Sequence, residues 1–207
     1  MRVSTLAYQV CANEPARAKQ IDPYAKQIHE LSRLGVDGRG KRVGYISLEE
    51  LQKYWTRTRV QEMCDSYAII SNWELIRSDY LRVFSTLVSS GRVAMIRHFM
   101  QYGLHDGVFP SDYPLRGWPD ASPFSDCSED FAEHQWTFFP LIIPFPEAHD
   151  RRLPERQIIP IKRKDPIQEG LDTRIYKIEL DPQCNGLPPV RFCCTLILFL
   201  QNKYCRL

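Results

Sequence analysis

The chain has 207 residues, 43% of them hydrophobic and 25% charged, and a formal net charge of +2. That length allows one domain or two small ones with a true core, and the composition is ordinary for a soluble protein. So small a charge leaves no strong electrostatic case for nucleic acid or an anionic membrane as partner.

Seven cysteines are present, at 11, 64, 127, 184, 193, 194 and 205, with no C-x-x-C pair. The adjacent Cys193 and Cys194 suit neither ordinary disulfide pairing nor paired zinc ligation. The N-terminal apolar run is broken by Ser4, Thr5 and Gln9, which argues against a secretory signal. Together these features imply a reduced, intracellular protein, cytoplasmic or nuclear. The apolar run from Phe192 to Leu200 is about half of the roughly 18 residues a bilayer span requires.

In chain order, Pro15 to Leu34 reads as a helix interrupted at Asp22-Pro23, and the glycines at 35, 38 and 40 terminate it. Ser47-Leu-Glu-Glu50 is a capping box, with Ile46 and Leu51 at the two staple positions. It predicts a helix to about Cys64. Ser78-Asp79 is a candidate cap for a helix bearing Leu81, Phe84, Leu87 and Val88, closed by Gly91. A second face, Val93, Ile96, Phe99 and Met100, is closed by Gly103. His98 and His105 lack a third ligand at helical spacing and read as polar or capping histidines.

From Phe109 to Pro166 the chain is rich in proline and in aromatic residues (Trp118, Phe124, Phe131, Trp136, Phe138, Phe139). This predicts an irregular strap packed over a neighbouring element. Within it, Asp126, Glu129, Asp130 and Glu133 near His134 read as a solvated acidic face, and Lys162-Arg163-Lys164 further on as a solvated turn. Ile158 to Leu180 reads as strand, glycine-containing turn, strand. In the second strand Ile175, Lys177 and Glu179 alternate with Tyr176, Ile178 and Leu180. After Pro188-Pro189 comes a cysteine- and leucine-rich tail that reads either as an edge strand or as a stretch foreign to the rest.

The expected fold is therefore α+β: an N-terminal bundle of three to four helices, an irregular proline/aromatic segment and a short antiparallel β-hairpin at the C-terminus. The divisions are 1–44 (helix and Gly-rich linker), 45–110 (helical domain), 111–156 (irregular segment), 157–182 (hairpin) and 183–207 (atypical tail).

Glu133-His-Gln-Trp-Thr-Phe-Phe-Pro140, Leu153-Pro154 and Ile175-Tyr-Lys-Ile178 occur in that order. Upstream of them stand Val83–Val88, Ile96–Met100, Asp106 and Phe109-Pro110. Over roughly residues 45–182 this series resembles a group of fungal protein-kinase-like proteins in which a helical region precedes the kinase domain. The resemblance implies that 157–182 is the start of a kinase small lobe and that Gly170 stands in its nucleotide-covering loop. ATP is then the one cofactor to consider, on condition that the loop still holds phosphate.

The departures from that pattern bear on activity. A kinase loop needs several glycines over the phosphates, and between Ile167 and Ile175 only Gly170 occurs. Glu169 and Asp172 flank it, and like charges about 4 Å apart cost on the order of a few kcal/mol. No Val-Ala-Ile-Lys, His-Arg-Asp or Asp-Phe-Gly element follows, so no catalytic residue is assigned. Three functions remain open: a truncated, catalytically inert kinase-like fragment, the N-terminal part of an active ATP-dependent protein kinase, or an unrelated small helical interaction module. For an interaction role, Trp118, Trp136, Phe138 and Phe139 are the candidate contacts.

Overall fold

In the computed structural model the described residues are 23–69, 72–111, 124–142, 154–169, 173–184, 196–201 and 204–206. They form α1 (Pro23–Glu30), β1 (Arg33–Val36), β2 (Arg42–Tyr45), α2 (Leu48–Tyr54), α3 (Arg57–Ser66), α4 (Trp73–Asp79), α5 (Leu81–Ser89), α6 (Ile96–Gln101), α7 (Phe124–Phe138), β3 (Ile161–Glu169), β4 (Thr173–Leu180), β5 (Leu196–Gln201) and β6 (Tyr204–Arg206). The class is α+β, as expected, with seven α-helices among the described residues rather than three or four.

Helix α5 is the axis of the helical layer. Leu81, Val83, Phe84, Ser85, Thr86, Leu87 and Val88 are all buried, and α1, α2, α4, α6 and α7 pack around them. The Trp55 ring meets Phe84 at 4.9 Å between centroids, and its indole N–H donates to Ser85 Oγ at 2.9 Å. Phe99, Phe109 and Phe131 form a second aromatic knot, with Phe131 4.9 Å from each of the other two. Burial of side chains this large contributes roughly 1.5–3 kcal/mol each. The same core cluster extends from Ala25 to Phe139.

Several local expectations are revised. The helix read over Pro15 to Leu34 is α1, Pro23–Glu30, and residues 1–22 lie outside the described residues. Pro23 opens α1, where its missing N–H costs nothing. The glycine-rich stretch beyond is the turn of hairpin β1–β2, not only a helix stop. The helix read from Ser47 to about Cys64 is two helices. Trp55 leaves the first to enter the core, and the Thr56 hydroxyl caps the second by accepting from the Arg59 amide. Ser78 and Asp79 end α4 instead of capping α5.

The segment 111–156, read as irregular, contains the 15-residue helix α7. Cys127, Phe131 and Phe138 fall on its buried side, a spacing that fits helical periodicity. Lys162, Arg163 and Lys164 lie on strand β3, not in a turn.

Strands β3, β4, β5 and β6 form an antiparallel sheet in that order, and β1–β2 form a second. Ile178 and Leu180 are buried while Lys177 and Glu179 are exposed, which matches the alternation read in β4. Part of the tail is thus strand: β5 pairs with β4 along its length. One antiparallel bridge joins the two sheets, with Val36 N–H to Ile159 O at 3.0 Å and Ile159 N–H to Val36 O at 2.8 Å. Gly35 permits this approach, since a Cβ there would sit 2.7 Å from the Ile159 carbonyl oxygen. Among the described residues no helix is long and apolar enough to cross a membrane.

Candidate functional site

The polar groups that hold the sheet to the helices gather at a seam beneath the end of β4. The chain leaves the sheet at Leu180 and turns through a short 3-10 segment, Pro182–Cys184, which carries Asp181 to the end of β2 and the start of α2. Asp181 Oδ2 accepts from Arg33 Nη1 at 2.8 Å and from the Tyr45 hydroxyl at 2.7 Å. Its Oδ1 accepts from the Gln183 amide at 3.0 Å. The other arm of the Arg33 fork reaches Glu50 Oε1 at 3.1 Å, and Ser47 Oγ donates to Gln183 Oε1 at 2.8 Å.

The capping motif at Ser47 thereby does two jobs. Ser47 Oγ accepts from the Glu50 amide at 3.2 Å, the expected half of the box. The Glu50 carboxylate, expected to return to the Ser47 amide, turns to Arg33 and Lys53 instead.

Two further charged residues, Asp106 and Arg82, lie half-buried at the start of α5. Asp106 caps α5 from a distant loop: its carboxylate accepts from the amides of Arg82 at 3.0 Å and Val83 at 2.9 Å. Those are donors that a helix start leaves unpaired. The Arg82 guanidinium lies over the Phe139 ring, 5.5 Å from its centroid, and its Nε is buried without a hydrogen-bond partner.

The protonation states at the seam are fixed by these contacts. Burial pushes the Asp181 carboxyl upward, but the Tyr45 hydroxyl, the Gln183 amide and Arg33 outweigh it and hold it below the usual carboxylate range. Burial, then the bond to Asp181, pushes the Tyr45 phenol up. The Cys184 thiol is pushed up to about 11, chiefly by burial and then by Asp181. At neutral pH the site therefore holds a carboxylate, a neutral phenol and a neutral thiol. A thiol is a poor nucleophile, and this Asp has a pKa far from the working range of a general base. The arrangement is suited to fastening and to charge recognition.

The residues singled out from sequence fall elsewhere. Gly170 and Trp118 lie outside the described residues. Trp136, Phe138 and Phe139, expected as exposed contacts, are buried. Phe138 and Phe139 join the helical core, and Trp136 packs with Tyr45, Ile158 and Cys184, so none of the three is free to meet a partner.

Of the acidic stretch, Glu129 and Glu133 are exposed on α7 and Asp130 pairs with Arg92 at 3.2 Å. His105 accepts from the Gly107 amide at 3.1 Å as a local cap. Among the described residues no three His, Cys, Asp or Glu side chains group as a metal site. Arg33, Tyr45, Arg82 and Asp181 were not singled out from sequence, because their partners lie too far along the chain for any spacing rule.

No family model, no curated protein and no solved structure matches the chain.

Proposed function

We propose that the chain is a kinase-like interaction module that does not itself transfer phosphate. On this reading it carries the helical region and the first small-lobe hairpin of the fungal protein-kinase-like group, and its task is to hold that hairpin in a fixed pose for a partner protein.

The convergence of Arg33, Tyr45 and Gln183 on Asp181 carries the reading. It supports a hairpin whose base is bolted to β1–β2 and, through the Arg33–Glu50 pair, to α2, where a nucleotide-gripping lobe depends on a loop that closes over its ligand. The buried thiol of Cys184 supports a reducing compartment, cytoplasmic or nuclear.

Thermal unfolding in the presence of Mg-ATP tests it. The melting temperature is expected to stay constant up to millimolar nucleotide. A rise that grows with nucleotide concentration, as ligand linkage requires, would overturn the reading and favour the start of an ATP-dependent protein kinase.

A further inference from the structure

We draw no further inference here: the strongest candidate, the apolar surface patch on β1 where exposed Leu34 stands two residues from Val36, itself packed on the cluster of Ile159, Ile161, Ile178 and Leu180, carries nothing because nothing in the structure shows what covers it.

Discussion

Asp181 receives three hydrogen bonds from donors in three parts of the chain, so its removal orphans a buried phenol and releases Arg33. Asp181→Ala is expected to cost roughly 2–3 kcal/mol in urea unfolding, with the value held down by the partial exposure of Arg33. Buried Asp181 and half-buried Asp106 oppose one another in pH dependence. The folded pKa of Asp181 is held below its unfolded value near 3.9. Its stabilisation is present above that value and is lost as pH falls through the folded pKa. Asp106 is raised by burial, against the pull of the Arg82 and Val83 amides. Its contribution is full below the unfolded value and is lost as pH rises through the folded pKa. Between about pH 3 and 6 the urea midpoint of Asp106→Asn is therefore expected to climb more steeply than that of the wild type, and that of Asp181→Asn less steeply.

At the scale of elements, three helices end in the same way. In α5 and α6 the closing residues Gly91 and Gly103 have φ of +70° and +65°. The Arg92 amide reaches Leu87 O and the Leu104 amide reaches Phe99 O, the six-to-one bond of a Schellman cap. Helix α3 makes the same cap without glycine: the Ile69 amide reaches Cys64 O, and Ala68 carries φ of +52°. A left-handed non-glycine residue costs roughly 1–2 kcal/mol. Ala68→Gly is thus expected to raise the melting temperature by a few degrees, and Gly91→Ala to lower it, with nothing nearby for the new methyl to strike. The glycine stops, the Ser47 cap and the alternation along β4 were legible in the sequence because each is written within a few residues. The stop at Ala68 was not, since nothing in the local sequence marks it. Helix α7 was hidden by its setting: Cys127, Phe131 and Phe138 have helical spacing, but the prolines on either side pointed to irregular chain. The partners of Asp106 and Asp181 were beyond reach, because a single sequence does not encode which distant segments meet.

For the whole molecule, Ile46 N–H to Thr137 O, the packing of Trp136 on Tyr45, Ile158 and Cys184, and the Asp181 seam tie the helical layer to the sheets, while the Val36–Ile159 bridge and the packing around Ile159, Ile161, Ile178 and Leu180 tie one sheet to the other. Gly35→Val places branched carbon against the Ile159 carbonyl, where even a Cβ would be 2.7 Å away. It is expected to cost about 1–3 kcal/mol and to force the bridge apart. In hydrogen exchange the amides of Val36 and Ile159 should lose protection in this variant while those of α5 keep theirs. Equal loss in both would mean that the layers open as one cooperative unit.

The tie from Arg33 to Asp181 spans 148 residues of sequence. During synthesis Arg33 and Tyr45 emerge long before the carboxylate that joins them, while every group in the aromatic knot of Phe99, Phe109 and Phe131 is already made. The seam therefore becomes possible after the aromatic knot and before the pairing of β5 and β6. Until Asp181 leaves the ribosome, the Tyr45 phenol lacks its carboxylate acceptor and Arg33 holds only its bond to Glu50.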